Sequence, residues 1–330
     1  MRNVFILFFS VLTLLVISTS CRKTDNPFKY DAGTFPDTTI ALTDINSAYD
    51  DYNMSLNQIQ DNIVLVFSSN RVSTGEQFDL EQGIITYSFD QTTGEFGLGS
   101  EITGDPFLSK LIGAAVTEGD DLGPYRLFNR EDGYEYLILS SENNNGDLDF
   151  FYLRNLPVAG NSLPDISGPS PVNLLNTSAD DAYICFNATR DTLYFATDYQ
   201  GNFDIFFKGK PSSEGISEWF NSSYSTSSEV DSINSSFNDK CPFVLKKIMV
   251  FASDRSGGLG GFDLYYSLFI NGKWNSPVNF GPEINTKYNE YRPVIGFDPS
   301  FTNNFMIFSS DRPGGKGLFD LYFKGITFEN

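Results

Sequence analysis

Two copies of a set of two acids and one base are the residues best suited to chemistry in this sequence. Asp254 and Arg255 are followed by Asp263, and the same three residue types recur at the same spacing near the C-terminus. Carboxylates beside a guanidinium could transfer protons or contact a cation or ligand at an edge of the fold. A catalytic group is needed once, whereas a group that recurs in successive units usually fixes a turn or joins two elements. We therefore expect structural hydrogen bonds from Asp254, Arg255, Asp263, Asp311, Arg312 and Asp320.

Other catalytic and cofactor-binding patterns are not found in this sequence. It contains no histidine, which excludes His-dependent triads and His-ligated zinc. The glycine-rich turns at residues 257–261 and 314–317 lead into strands, not into the helix N-terminus that a phosphate site needs. Residues 142–149 carry oxygen ligands but lack the calcium-loop pattern, so a solvated turn is favoured and a calcium site is the alternative. We predict no catalytic residue, no metal and no cofactor.

These residues belong to a repeat that occurs five times. An apolar residue before a Ser/Thr-acid step aligns the copies, with intervals of 72, 56, 56 and 57 residues between Phe67, Leu139, Phe195, Phe251 and Phe308. A glycine- or asparagine-containing turn follows each one, and then an acid precedes alternating apolar residues. Two aromatic-rich runs joined by such a turn predict a β-hairpin, and the rest of each unit supplies two more strands. Four strands in a unit of this length are typical of a propeller blade.

The runs at residues 253–265 and 310–322, which share Ser-Asp-Arg, a glycine-rich turn and Phe-Asp-Leu-Tyr, resemble the Pro-Asp β-propeller family. That family has WD-like repeats and includes the TolB propeller and many envelope lipoproteins. The resemblance covers roughly residues 40–330 and is weakest in the second unit, where Glu142 stands in place of the acid-Arg pair. The predicted fold is all-β: a five-bladed β-propeller of four-stranded antiparallel blades.

The ring is predicted to close through the N-terminal part of the chain. The last unit stops after its third strand, and residues 38–42 lie where an outer strand would precede the first unit. An open ring would leave unpaired sheet edges. We therefore expect this N-terminal strand to complete the last blade.

The N-terminus resembles a bacterial lipoprotein signal. A short basic start, an apolar run over residues 4–17 and small residues precede Cys21, although Ser18 replaces the usual leucine. This pattern predicts a signal peptide over residues 1–20, an acylated Cys21 as the membrane anchor, a polar tether over residues 21–36 and a propeller over residues 37–330. An ordinary secretory signal and an uncleaved anchor are the alternatives. The expected location is the outer membrane, facing either the periplasm or the outside.

Two further cysteines fall in the predicted inner strands of successive blades. Cys185 and Cys241 follow related Ile-Asn-type motifs, and an exported protein meets an oxidising compartment. We predict a Cys185–Cys241 disulfide. The alternative is two buried free thiols, because their registers differ by two residues.

The function expected from the resemblance is a lipid-anchored, non-enzymatic scaffold that binds an envelope protein or a cell-wall or glycan component. The alternative is a carbohydrate-binding or glycoside-hydrolysing propeller, because some five-bladed propellers hydrolyse glycans with carboxylates in the central funnel. The net charge of −20 argues against nucleic acid as a partner. The irregular spacer at residues 103–125 is either an inserted loop that marks a partner surface or a divergent inner strand with a long turn.

Overall fold

A computed structural model describes residues 28–59, 62–158, 160 and 162–328. It confirms the predicted five-bladed propeller of antiparallel sheets. The chain enters the ring through β1 (Ile40–Ala41) and then forms blade 1 from β2 (Asp51–Ile59), β3 (Asn62–Ser69), β4 (Asp79–Phe89) and β5 (Phe96–Ile102). Blade 2 follows as β6 (Asp121–Asn129), β7 (Tyr134–Glu142), β8 (Leu148–Asn155) and β9 (Ile166–Pro171).

The remaining three blades repeat this order, with variation at their outer edges. Blade 3 contains β10 (Asp181–Phe186), β11 (Thr192–Thr197), β12 (Asp204–Gly209) and β13 (Ser228–Glu229). In blade 4 the outer edge is split, so the blade contains β14 (Asp239–Leu245), β15 (Ile248–Ser253), β16 (Asp263–Ile270), β17 (Lys273–Trp274) and β18 (Val278–Asn279). Blade 5 contains β19 (Glu290–Phe297), β20 (Asn304–Ser310), β21 (Asp320–Ile326) and, as its fourth strand, β1.

The second strands carry the main packing residues of the blades. The five aligned residues Phe67, Leu139, Phe195, Phe251 and Phe308 are all buried in the apolar clusters of the core. A fully buried aromatic or aliphatic side chain of this size stabilises a fold by about 1.5–3 kcal/mol. Both faces of the second strands are buried, because each blade packs between its two neighbours.

One hydrogen bond recurs at all five junctions between blades. The residue just before each first strand accepts, through a side-chain oxygen, a backbone N–H at the start of the third strand of the preceding blade. The donor and acceptor pairs are Phe78 with Asp120, Leu148 with Asp180, Phe203 with Asn238, Phe262 with Asn289 and Phe319 with Asp50, at 2.8–3.1 Å. The fifth pair joins the last blade to the first and so closes the ring.

A buried acid begins every first strand. Asp51, Asp121, Asp181, Asp239 and Glu290 are fully buried, and each accepts the backbone N–H of a serine or threonine four residues earlier. In blades 1, 4 and 5 an arginine after the second strand forms an ion pair with this acid at 2.5–3.0 Å. Blades 2 and 3 have Asn143 and Tyr199 in place of that arginine.

Two short helices fill gaps between blades. The helix α1 (Pro106–Gly113) begins at Asp105, whose side chain accepts the N–H of Leu108, and it buries Leu108, Leu111 and Ile112. It packs in a cluster with residues of blades 1 and 2. The helix α2 (Ile216–Phe220) buries Trp219 and Phe220 in the cluster shared by blades 2 and 3.

The spacer at residues 103–125 therefore holds both an insertion and an inner strand. Its helix α1 lies in the core, and the first strand of blade 2 begins at Asp121. Thr117 contacts Asp121 as Ser47 contacts Asp51. This segment therefore corresponds to Ile45-Asn46-Ser47 of blade 1, although the two sequences differ. Within the part of the chain that the structure describes, no helix is both long and apolar enough to cross a membrane.

The predicted closure by an N-terminal strand is confirmed, and it extends further than expected. In β1, Ile40 pairs with Phe323 and Ala41 with Tyr322. Phe35, which was expected in the tether, is buried and stacks on Phe301 at 3.9 Å between ring centres. Residues 1–20 and Cys21, the predicted signal peptide and lipidation site, lie outside the described residues.

We expect removal of residues 36–44 to lower the melting temperature sharply. The deletion takes away β1 and the buried Leu42, and it leaves the third strand of blade 5 as an open edge. The measurement is thermal unfolding followed by circular dichroism. A chain that begins at residue 28 is the control and keeps the closing strand. Equal melting temperatures for the two chains would show that closure does not stabilise the ring.

Candidate functional site

The mouth of the central channel is surrounded by aromatic side chains. First and third strands run in the same direction, so their starts lie on one face of the ring. The residues just before the third strands are half-buried there, and the second residues of the first strands lie beside them. We call the following set the aromatic mouth: Tyr52, Phe78, Phe203, Lys240, Phe262, Tyr291 and Phe319.

A single lysine lies among these rings. The Nζ of Lys240 lies 4.4 Å from the ring centre of Phe203, 5.0 Å from that of Phe262 and 5.5 Å from that of Tyr291. Burial lowers the pKa of Lys240, while Cys241 and the carboxylates of Asp254, Asp180 and Asp198 act in the opposite direction. A cation over aromatic faces, with carboxylates nearby, offers both apolar and charged contacts to a ligand.

Two carboxylates flank one tyrosine of the aromatic mouth. The Tyr52 ring lies 4.8 Å from the Phe78 ring and 5.6 Å from the Phe319 ring, between centres. The backbone N–H groups of these two phenylalanines bind Asp120 and Asp50, respectively. Burial raises the pKa of Tyr52 well above its usual value, and Tyr183, Asp120 and Asp50 add to this effect. Both carboxylates are therefore near enough to Tyr52 for their charge to affect its pKa.

Below the mouth, side chains fill the channel. Each first strand has a β-bulge, and the residue at that point has a φ between +45° and +62°. These residues are Asn53, Gly123, Tyr183, Cys241 and Arg292. The Tyr183 and Tyr291 hydroxyls are 3.1 Å apart across the axis. The mouth is therefore a depression and not an open pore.

The six residues of the repeated acid and base sets all make hydrogen bonds within the fold. Arg255 binds Asp239 and the carbonyl oxygen of Ile233, and Arg312 binds Glu290 and that of Ile284. These bonds reach beyond the hairpin to the first strand of the same blade. Asp254 and Asp311 accept bonds from Asn238 and Asn289, while Asp263 and Asp320 accept N–H groups of the glycine-rich turns.

The predicted Cys185–Cys241 disulfide is not formed, because both residues are buried free thiols. Cys241 occupies a bulge position on the channel side, whereas Cys185 lies two residues further along its strand and packs with Met249 and Phe251. The difference in register places the two side chains in separate clusters of the core.

The loop at residues 142–149 is held by hydrogen bonds to the Asn143 side chain. The Oδ1 of Asn143 accepts the N–H of Asn145 and of Asp147, and its Nδ2 donates to Asp149. Among the described residues, no three Cys, Asp or Glu side chains are arranged to hold a metal ion.

The mouth residues were missed because the repeats were aligned on the second strand. Alignment on the acid that begins each first strand would have placed Tyr52, Leu122, Ala182, Lys240 and Tyr291 in one column. The residue type varies in this column, whereas the residue immediately before it is an acid in every blade. Variation at a position that faces the ring axis is the signal that sequence reasoning could have used.

Comparisons with known proteins agree on the fold. No protein-family model matches the chain, and no curated protein matches it. The endo-arabinase from Bacteroides thetaiotaomicron superposes with a TM-score of 0.54 and 10% identity, over 89% of this chain and 98% of that one. The α-L-arabinofuranosidase from Podospora anserina, solved with cellotriose, superposes with a TM-score of 0.51 and 11% identity, over 92% of this chain and 99% of that one. The RS223 β-xylosidase superposes with a TM-score of 0.52 and 7% identity, over 88% of this chain and 95% of that one.

These structural relatives correct the functional expectation. A non-enzymatic, TolB-like scaffold was expected, whereas the solved propellers that share this fold are named as glycan-hydrolysing enzymes. At such low identity the likeness shows the fold alone. The scaffold expectation is not supported by these relatives, and the resemblance to the Pro-Asp family stays a prediction.

The blades without an arginine have unusual acids. Burial raises the pKa of Asp181 to about 7, with a further increase from Asp149, against hydrogen bonds from Thr197 and Thr177 that lower it. Burial likewise raises the pKa of Asp121 to about 6. A carboxyl group with a raised pKa keeps its proton in the folded state at a pH where the unfolded chain has lost it. Its contribution to stability is therefore lost as pH rises from about 4 to about 7.

We expect Asp181→Asn to remove this pH dependence. Relative to the wild type, the variant should gain roughly 2–4 kcal/mol in the free energy of unfolding between about pH 4 and pH 8, since one pKa unit corresponds to about 1.4 kcal/mol. Urea unfolding across this range measures the difference. Asp239→Asn is the matched control, which should destabilise at every pH because Arg255 loses its partner. A pH-independent difference for Asp181→Asn would contradict the assignment.

Proposed function

We propose that this protein is a glycoside hydrolase that binds a polysaccharide at the aromatic mouth. The observation that carries the proposal is the pair of carboxylates, Asp50 and Asp120, on either side of Tyr52. Glycoside hydrolysis needs two carboxyl groups about the scissile bond, one to protonate the leaving oxygen and one to act as base or nucleophile. Aromatic faces beside them give a sugar ring a surface on which to stack.

Each part of the mouth has a role in this proposal. A sugar ring packs its C–H face on Tyr52 and its neighbours Phe78 and Phe319. Lys240 donates hydrogen bonds to sugar hydroxyls from the opposite side of the mouth. Each carboxylate has one oxygen held by a backbone N–H, which fixes its orientation and leaves its second oxygen for the substrate. Polysaccharides containing arabinose, xylose or galactose are the first substrates to test, because they match the names of the structural relatives.

We expect the purified propeller to release reducing sugar from one of arabinan, arabinoxylan, xylan or β-1,3-galactan. Asp50→Asn and Asp120→Asn should each lower kcat at least about 100-fold, the contribution typical of a general acid or base. Asparagine keeps the junction hydrogen bond, as Asn238 and Asn289 do in blades 4 and 5. The variants should therefore melt like the wild type.

The matched control is Asp180→Asn, which makes the same change at the same repeat position but beside Leu148. It should keep most of the activity. Binding without turnover on every substrate, or equal losses in all three variants, would contradict the assignment of Asp50 and Asp120 as the catalytic pair.

We further propose that the enzyme acts at the outer membrane, anchored through an acylated Cys21. The support is the lipoprotein-like order of the first 21 residues. Two or more acyl chains give stable anchoring, whereas one gives only reversible binding.

We expect Cys21→Ser to release the protein into the soluble fraction of cells and to abolish incorporation of labelled palmitate. Cys185→Ser is the control and should leave both unchanged, because that thiol is buried in the core. Labelled protein in the Cys21→Ser variant would contradict the anchor.

A further inference from the structure

A fully buried arginine crosses the centre of the channel. Arg292 has no solvent exposure. Its Nη2 lies 3.4 Å from the carbonyl oxygen of Pro124, and its guanidinium carbon is 5.5 Å from the centre of the Tyr183 ring. Pro124 is in blade 2 and Tyr183 is in blade 3, and neither blade is adjacent to blade 5. The side chain of Arg292 therefore spans the ring axis.

Most N–H groups of this guanidinium have no acceptor. Nε and Nη1 of Arg292 make no hydrogen bond within the described chain, and the bond from Nη2 is long. The Asn53 amide, from the same ring of bulges, is near enough to the Tyr183 hydroxyl to lower its pKa, yet neither amide atom reaches hydrogen-bonding geometry. Buried donors without acceptors are rare in folded proteins because each lost its water on burial.

No carboxylate of the described residues forms an ion pair with this arginine. Among the ion pairs of the described residues, none includes Arg292, and the nearby Glu290 is paired with Arg312 at 3.0 Å. Burial raises the pKa of Cys241 to about 11 and that of Cys185 to about 12, so both thiols are neutral at physiological pH. A guanidinium keeps its charge in proteins. A buried charge without a partner is strongly unfavourable.

We propose that the central channel binds a small monovalent anion against the unpaired N–H groups of Arg292, at Nε or at Nη1. Chloride and a small carboxylate such as formate share the required chemistry, a single negative charge that accepts a charge-assisted N–H bond. The Tyr183 and Tyr291 hydroxyls meet across the axis on the mouth side, which excludes a polymer from this position. The anion neutralises Arg292 and links the inner strands of non-adjacent blades. This site is separate from the proposed glycan site and does not depend on it.

Thermal unfolding at constant ionic strength tests the proposal. Sodium gluconate, whose anion is too large for the site, is replaced stepwise by sodium chloride and, in a second series, by sodium formate. A ligand that binds only the folded state raises the melting temperature with its concentration. We expect a rise of roughly 2–8 °C between about 1 mM and about 200 mM of the binding anion. A rise in either series supports the site and identifies the anion, whereas identical melting temperatures in all three salts would overturn the proposal.

Two variants assign the effect to Arg292. Arg292→Met keeps the length of the side chain, removes the charge and should abolish the dependence on the anion. Arg130→Met makes the same change in net charge at an exposed position, and this variant should keep the dependence of the melting temperature on the anion. Retention of the full effect in Arg292→Met would place the anion elsewhere.

If Arg292→Met does not fold, crystals of the wild-type protein grown in sodium bromide provide a second test. The expected result is an anomalous bromide peak beside Nε or Nη1. Water alone at that position, in crystals of a protein whose melting temperature responds to bromide, would also overturn the proposal.

Discussion

Closure of a ring from five separate sheets is the constraint on which this structure depends. Each blade has an inner edge that must meet its neighbours, and each junction uses a carboxylate or amide oxygen that accepts one backbone N–H. Four of these bonds join blades that follow each other in the sequence. The fifth joins Phe319 of the last blade to Asp50 at the start of the first blade in the same way. Every junction contributes to one closed cycle, so the blades cannot be regarded as independently stable units. The short β1 completes the outer edge where this cycle joins the two ends of the chain.

The same constraint concentrates negative charge on one face. Junction acids and the acids that begin first strands are neighbours in the chain, and the first-strand acids are fully buried. Arg71, Arg255 and Arg312 neutralise them in three blades. In the other two blades burial raises the pKa of Asp121 and Asp181. The acids beside the aromatic mouth are thus among the groups that hold the ring together.

The sequence predicted the architecture well because a repeat constrains many positions at once. Blade number, strand order and closure by residues 38–42 all followed from the spacing of a few motifs and the missing outer strand of the last unit. The disulfide was wrong because a two-residue shift along a bulged strand changes which cluster a side chain enters, and the motif spacing does not reveal the bulge. The mouth was missed because its members come from different strands, which an alignment on the second strand does not bring together. The start of blade 2 was hidden because Thr117 preserves a structural contact with Asp121 without preserving the motif around it.

The path of the N-terminal segment has a geometric consequence for the proposed anchor at Cys21. Lys29 and Gly33 bond to Gln91 and Ser300, which lie in loops after a third and a first strand, respectively. Those loops are on the face opposite the aromatic mouth. With a lipid on Cys21, about seven residues separate the bilayer from this contact, a reach of at most about 25 Å for an extended chain. The propeller would then lie with the face opposite the mouth towards the lipid and with the mouth directed away from the bilayer. In this orientation a long polysaccharide could approach the mouth without meeting the membrane.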